Sequence, residues 1–191
     1  MIPRFFQGEF RIEGTSEAPK IVGYAAVFNT LSEDLGGFRE KIEPGAFAEA
    51  LAKNDDIMAL MYHDPKLILG RRSRGTLTIR EDQQGLYVEI VPPNTTVGRD
   101  AIENVRRGDV SGMSFHMNKV RDNWVKGDGV VRTVRSIGVM REVTLTTIPA
   151  YKATSVSLRA HEEDELEYVR QRIAETLATP GRDALAKRLG Y

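Results

Sequence analysis

The segment GDVSGMSF at residues 108–115 holds two serines, either of which could attack a carbonyl. Ser114 follows Gly112 by two positions, as in the Gly-x-Ser-x-Gly elbow of lipases, but His116 stands where that motif requires a second glycine. The residues after Ser114 alternate as in a strand and not as in a helix, which excludes the elbow. A serine on a strand is a nucleophile only if other segments bring a base and an orienting group to it. Otherwise it is an ordinary polar group of the sheet.

A histidine ends the apolar run IMALMYH at residues 57–63. His63 is followed by Asp64-Pro65, and proline does not continue a central strand, so the chain turns outward here. An imidazole with an ordinary pKa of about 6.5 can act as a base near neutrality. The alternative is a half-buried histidine at a strand end, bonded to a carbonyl.

An acidic residue, Glu142, lies in the otherwise apolar strand-like run REVTLTTI. Alternation places it on one face with Thr144 and Thr146, and places Val143, Leu145 and Thr147 on the other. An unpaired buried carboxylate is costly, so Glu142 must reach solvent or pair with a cation. A histidine that becomes positive during acyl transfer is one such cation, and Arg141 and Arg135 are the alternatives.

Composition narrows the class of protein. The 191 residues suffice for one domain of about 150 residues and an appendage. Basic and acidic residues balance at 27 each, which gives no support for a nucleic-acid or anionic membrane partner. There is no cysteine, so disulfides, thiolate zinc sites and a cysteine nucleophile are excluded. The three histidines are scattered, which predicts no metal site and no cofactor.

The absence of a long apolar run or a signal peptide predicts a soluble, intracellular chain. Short strand-like runs fill the first 160 residues and predict a mainly β domain, a small mixed sheet or a barrel. Helices are predicted over 44–54 and 97–109, and a hairpin turn at KGDG, 126–129. Residues 161–191 are predicted to form a helical tail that serves as a docking segment or is removed by self-cleavage. Within it, residues 161–178 predict an amphipathic helix whose stripe consists of Leu166, Val169, Ile173 and Leu177.

Four segments, in this order, resemble a known family: GYAAVFNTLSEDLGGFREKIEPGAF, YHDPKLILGR, GDVSGMSF and REVTLTTIPAYKATSVSLRA. They look like the prohead (capsid maturation) serine proteases of tailed bacteriophages, which are distantly similar to herpesvirus assemblin. The resemblance runs from Gly23 to Ala160. It implies a closed antiparallel β-barrel surrounded by helices over residues 1–160, with the C-terminal amphipathic helix outside it.

The resemblance also implies roles for the candidates. His63 matches the general base, Ser114 the nucleophile and Glu142 the third member of a triad, whereas Ser111 does not match the nucleophile. His116 departs from the family pattern, which has a small residue there; it is either a second imidazole at the site or an exposed strand histidine. By analogy with assemblin, backbone amides near Pro149–Tyr151 would stabilise the oxyanion.

The activity implied is a serine endopeptidase that cleaves scaffold and capsid-protein segments, and itself, inside the assembling prohead in the host cytoplasm. Its partners would be the phage major capsid protein with its scaffold segment and a second copy of this chain, with no nucleic acid, membrane or cofactor. The alternative is a non-catalytic capsid-assembly or scaffold protein on the same fold, with the tail helix as its docking element.

Overall fold

A computed structural model of the chain describes residues 4–6, 10–32, 34–53, 56–147 and 160–178. The strands are β1 (Arg4–Phe6), β2 (Arg11–Gly14), β3 (Pro19–Val27), β4 (Arg39–Ile42), β5 (Met58–Met61), β6 (Asp64–Arg71), β7 (Leu77–Glu81), β8 (Gly85–Ile90), β9 (Gly112–Gly127) and β10 (Gly129–Thr146). The helices are α1 (Ala48–Ala52), α2 (Thr96–Arg107) and α3 (Ala160–Ala178), and a short 3₁₀ helix spans Arg72–Arg74. The prediction of a mainly β chain is confirmed.

The described strands form two open sheets. The larger has the order β1-β9-β10-β5-β6, with β4 also paired to β10, and the smaller has the order β2-β3-β8-β7. Strands β4 and β5 both run parallel to β10, at different parts of that long strand. The closed antiparallel barrel is therefore not confirmed: within the described residues neither sheet closes on itself, and parallel pairs occur beside the antiparallel ones.

A long hairpin of β9 and β10 forms the centre of the larger sheet. It turns at Asp128, as the KGDG segment predicts, and Gly129 takes a φ of 100° that a glycine adopts without steric cost. The runs VVRTVRSI and REVTLTTI, which look like two strands in the sequence, are one strand here. Two register shifts on β10, at 134–136 and 140–142, absorb extra residues and keep the pairing with β9 continuous.

Helix α1 is shorter than the predicted segment 44–54. The first residues of that segment form turns, because the Glu81 carboxylate accepts hydrogen bonds from the backbone N–H groups of Gly45 and Phe47. Helix α2 matches its prediction closely. The Thr95 side chain accepts from the Gly98 N–H at its start, and Gly108 ends it with a φ of 79°.

The main core lies between the sheets and the first two helices. One face of the β9–β10 hairpin supplies large side chains that are buried in it, and Phe47 before α1 packs edge-on against Phe115. These hairpin residues include Met113, Phe115, Met117, Val143 and Leu145. Since side chains alternate along a strand, the opposite face of the hairpin is left for Ser114, Glu142 and Thr144.

Helix α3 lies on the far part of the hairpin. Val169 is buried and Ile173 half-buried in a second cluster with Phe38, Trp124 and Val130. This contact agrees with the predicted stripe at two of its positions, while Leu177 is exposed and Leu166 lies outside the side chains that the structure describes. The short helix suggested by RDALAKRLGY also falls outside the described residues.

Candidate functional site

Two residues with positive φ connect β5 to β6. Met61 pairs with Asp64, which leaves Tyr62 and His63 as the two central residues of the turn, with φ of 56° and 59°. A positive φ at both positions is the signature of a type I′ turn, which normally takes asparagine or glycine. A positive φ is sterically unfavourable for bulky residues such as tyrosine and histidine. In native proteins, backbone strain of this kind is concentrated at functional sites.

Strand β10 holds this turn from the side. The Tyr62 N–H donates to the Leu145 carbonyl at 3.0 Å, and the His63 N–H donates to Thr144 Oγ1 at 2.9 Å. Both anchors lie on β10 because β5 runs parallel to it, with Met61 in register with Leu145. The strand pairing therefore positions His63 over the end of β10.

The register shift at 140–142 determines where Glu142 points. Met140 pairs with Met117, but the next pair is Glu142 with His116, so Arg141 is an extra residue on β10. If Arg141 paired with His116, in a strand without the bulge, Glu142 would be opposite Phe115 and would face the core. The bulge instead turns Glu142 to the face of the sheet that bears Ser114, a use of bulges known from other sites.

The structure brings His63 and Glu142 together. Glu142 Oε1 lies 2.5 Å from His63 Nδ1, and the Glu142 residue is only 8% exposed. With Nδ1–H as the donor, the lone pair of the imidazole is at Nε2, which is the arrangement that a general base requires. Of the cations that the sequence offered to Glu142, His63 is the partner found; Arg135 pairs instead with Glu43 at 3.6 Å, and Arg141 is exposed.

Ser114 lies on β9, directly opposite Thr144 and one pair away from the His116–Glu142 pair. On its other side it is in register with Phe5 of β1. Its side chain is 1% exposed, and Oγ has no hydrogen-bond partner among the described residues. Buried hydroxyls nearly always have a partner, so this orphaned oxygen is unusual. Ser114 thus shares a face with Glu142, while a hydrogen bond from Ser114 to His63 is not formed.

The other two candidates occupy different positions. Ser111 is exposed and precedes β9, outside the sheet. His116 is half-buried and faces the same side of the hairpin as Ser114 and Glu142, since opposite residues of an antiparallel pair share a face. His116 is therefore not a fully exposed strand histidine, and it lies beside the carboxylate that contacts His63.

Two features of the site were not predicted from the sequence. Thr144 bonds the backbone of His63, and a signal for it existed, because it lies two residues after Glu142 on the same face. The extra residue Arg141 had no such signal: bulges depend on pairing between distant segments, and REVTLTTI alternates without a visible break. The proposed oxyanion donors near Pro149–Tyr151 lie outside the described residues.

Metal binding and membrane insertion are two other classes of function. Within the described ranges, no three His, Asp or Glu side chains come together in a way that could hold a metal ion. In the same part of the chain, no helix combines the length and apolar character needed to cross a membrane.

Comparison with known proteins identifies a family whose pattern this chain matches. The family described as caudovirus prohead serine protease matches residues 8–168, which is most of the 191-residue chain. No curated protein matches the chain, and no solved structure does. The matched range contains the hairpin β9–β10, which bears Ser114 and Glu142, and the β5–β6 turn, which bears His63. This chain belongs to the caudovirus prohead serine protease family.

Proposed function

We propose that this protein is a serine endopeptidase in which Ser114 is the nucleophile, His63 the general base and Glu142 the residue that orients His63. The observation that supports it most strongly is the 2.5 Å contact between His63 Nδ1 and the buried Glu142 carboxylate. That contact lies on the face of the hairpin that also bears Ser114. Family membership assigns a serine peptidase role in capsid maturation, and these residues supply chemistry for it.

The first half of the reaction transfers an acyl group to Ser114. Nε2 of His63 takes the Oγ proton as Oγ bonds to the scissile carbonyl carbon, and the carbonyl oxygen becomes an oxyanion. The C–N bond then breaks, and the same proton passes from Nε2 to the leaving amine. Glu142 holds the imidazole in one tautomer and stabilises its positive form, which a neutral partner does far less well.

The second half releases the peptide. Water gives a proton to Nε2 of His63 and attacks the acyl carbon, and the ester bond to Ser114 Oγ breaks as Oγ regains a proton. Since Ser114 is 1% exposed, a substrate carbonyl reaches Oγ only after the covered face opens. Such closed sites exclude water until the substrate is bound.

The substrates we propose are the scaffold and capsid-protein segments of the same phage, and this chain itself, inside the assembling prohead. The support is the family's role in capsid maturation. The alternative function is that of a non-catalytic assembly protein on the same fold. Such a protein does not require a strained turn that places a histidine against a buried carboxylate, so this turn favours the protease.

Co-expression with the matching capsid protein and scaffold tests the proposal. Intact-mass measurement of the products should show new fragments of the capsid or scaffold chains with the wild-type protein and none with Ser114→Ala. Ser111→Ala is the matched control, because it also removes one hydroxyl but from an exposed position before β9; it should cleave as the wild type does. Cleavage that persists in Ser114→Ala would refute the assignment.

A further inference from the structure

The turn that carries His63 needs a restraint. Both Tyr62 and His63 have positive φ, a region that residues other than glycine adopt only at a steric cost. A two-residue turn under such strain relaxes unless neighbouring groups hold it. Two hydrogen bonds hold it here, one from each N–H group to β10.

The two restraints differ in kind. The bond from Tyr62 ends on the Leu145 carbonyl, a backbone group that every sequence offers. The bond from His63 ends on the Thr144 hydroxyl oxygen, which valine, alanine and most other residues lack. The Thr144 residue is 0% exposed, so water does not replace this acceptor readily. The restraint on His63 is therefore encoded in one side chain.

Thr144 also lies at a particular place in the sheet. It is in register with Leu60 on β5 and with Ser114 on β9, so it stands between the strand that leads to His63 and the strand that bears Ser114. The backbone of Thr144 pairs with Ser114, the proposed nucleophile, and its side chain bonds the backbone of His63, the proposed base. A residue in this place therefore fixes the position of the base relative to the nucleophile.

We propose that Thr144 is a positioning residue: its Oγ1 holds the His63 backbone in the strained turn, so that the imidazole stays against the Glu142 carboxylate. This inference rests on the proposed function of Ser114 and His63. Thr144 itself does not touch the substrate. Its effect is therefore on the rate of the chemical step and not on the binding of the substrate, since misplacement of a base by about 1 Å can cost on the order of 100-fold.

The test measures covalent labelling by a fluorophosphonate probe, in which Oγ displaces fluoride and gives its proton to His63. Wild-type protein, Thr144→Val and Thr144→Ser are compared at a series of probe concentrations. We expect Thr144→Val to lower the maximum labelling rate by about 10- to 100-fold and to change the half-saturating concentration by less than about twofold. Thr144→Ser keeps the acceptor and should stay within about threefold of wild type.

Thr133→Val is the matched control. Thr133 is also buried and lies on β10, but it pairs with Asn123 and Lys41, far along the strand from Ser114. It reports the general cost of exchanging threonine for valine on this strand, and we expect labelling within about twofold of wild type.

The hydrogen-exchange rate of the His63 amide distinguishes positioning of His63 from a general contribution of Thr144 to stability, because only the first predicts a change confined to that amide. The His63 amide should be protected in the wild type and exchange rapidly in Thr144→Val, while the Tyr62 amide, bonded to Leu145, keeps its protection. If Thr144→Val does not fold, labelling of Thr144→Ala and exchange of the wild-type His63 amide decide the question in the same way.

Wild-type labelling rates in folded Thr144→Val, or an unprotected His63 amide in the wild type, would overturn the inference. Failure of the proposed function looks different: the wild-type protein would then not be labelled at Ser114 at all.

Discussion

At the scale of single residues, the contact between His63 and Glu142 is formed, whereas a contact between Ser114 and His63 is not. His63 and Glu142 are within 2.5 Å, whereas Ser114 Oγ is buried without a partner in the described part of the chain. Hydrogen bonds between a nucleophile and its base often form fully only when substrate binds. In the proposed mechanism, the contact already made orients the base, and the contact between Ser114 and His63 forms when the substrate binds.

Replacing Glu142 by glutamine tests the orienting contact. The amide keeps the shape of the side chain but loses the charge that stabilises a positive His63, so the labelling rate of Ser114 should fall by on the order of 1,000-fold. The unfolding midpoint in urea should show that Glu142→Gln remains folded.

His116→Ala, measured beside it, is the control, because His116 pairs with Glu142 across the hairpin. We expect it to retain most of the rate. If Glu142→Gln labels as the wild type does and His116→Ala does not, His116 orients the base in place of Glu142.

The sequence predicts these residues better than it predicts their geometry. The strand end before Asp64-Pro65 indicated that His63 turns outward, and the alternation around Glu142 gave its correct face relative to Thr144. The burial of the Ser114 side chain was not foreseen, because burial depends on what other segments cover and a single strand pattern does not reveal that.

At the scale of elements, the bulge on β10 and the β5–β6 hairpin create the site. Because Arg141 is an extra residue, Met140 faces the core while Glu142 faces the side of Ser114, and the hairpin brings His63 to that same side. The helices and the KGDG turn could be predicted from capping and turn residues. The register shift at 140–142 could not be predicted from the sequence, and neither could the two open sheets that are found in place of the expected barrel.

Deleting Arg141 tests the role of the bulge. The residues after it would keep their partners on β9, because Glu142 would follow Met140 directly and would still lie opposite His116. We expect the deletion to leave Glu142 and Thr144 on the side of Ser114 and to retain labelling of Ser114; loss of labelling in the deletion variant alone would mean that the local bend made by the bulge positions Glu142. Arg141→Ala, which keeps the bulge and removes an exposed side chain, should retain the wild-type rate; loss of labelling in it would mean that the arginine itself acts.

The base of the β5–β6 hairpin is held by an acidic residue whose effect depends on pH. Asp56 accepts hydrogen bonds from the Arg71 side chain and the Ser73 N–H, and the Arg71 bond is the main cause that lowers the pKa of Asp56 to about 2. Because this pKa is below its value of about 3.9 in the unfolded chain, the charged form stabilises the fold above pH of about 4. That contribution is lost as the pH falls towards 2.

Urea unfolding of wild type and Asp56→Asn at pH 5, 4 and 3 measures this contribution. The difference in the free energy of unfolding between the two proteins should be largest at pH 5 and should decrease at each lower pH. Arg11→Ala is a suitable control, since it removes an arginine from an exposed pair elsewhere. A difference that is constant over this pH range would contradict the role assigned to the Asp56 carboxylate.

At the scale of the whole molecule, the tail helix covers part of the hairpin remote from the site. Val169 and Ile173 of α3 pack with Phe38 and Trp124, and the Tyr168 hydroxyl donates to Asp122 at 3.1 Å. The stripe predicted this amphipathic helix but not its partner, because a stripe shows that a face needs burial without showing which surface buries it. In the part of the chain that the structure describes, α3 is packed on the hairpin of its own domain.

Ending the chain at residue 160 tests how far the domain depends on α3. Removing Val169 and Ile173 from contact should reduce the free energy of unfolding by on the order of 2–4 kcal/mol. Fluorescence of Trp124, the single tryptophan, should move to longer wavelength as it meets water. We expect the truncated chain to stay folded and to label at Ser114, since the site lies at the other end of the hairpin.

Two point variants distinguish the loss of the buried contacts of α3 from the shortening of the chain. Val169→Ala should lower the melting temperature, whereas Leu177→Ala, at an exposed position of the same helix, should leave it nearly unchanged. An insoluble or unlabelled truncated chain would show that α3 belongs to the folding core of the protease.

The central claim is that Ser114 is the nucleophile and that His63 activates it. The most direct measurement is peptide mapping by mass spectrometry after incubation of the wild-type protein with a fluorophosphonate probe, beside Ser114→Ala, Ser111→Ala and His63→Ala. We predict one modified residue, Ser114, in the wild type and Ser111→Ala, and no modification in Ser114→Ala or His63→Ala on the same timescale. Modification at Ser111, or labelling of Ser114 that persists unchanged in His63→Ala, would contradict the account.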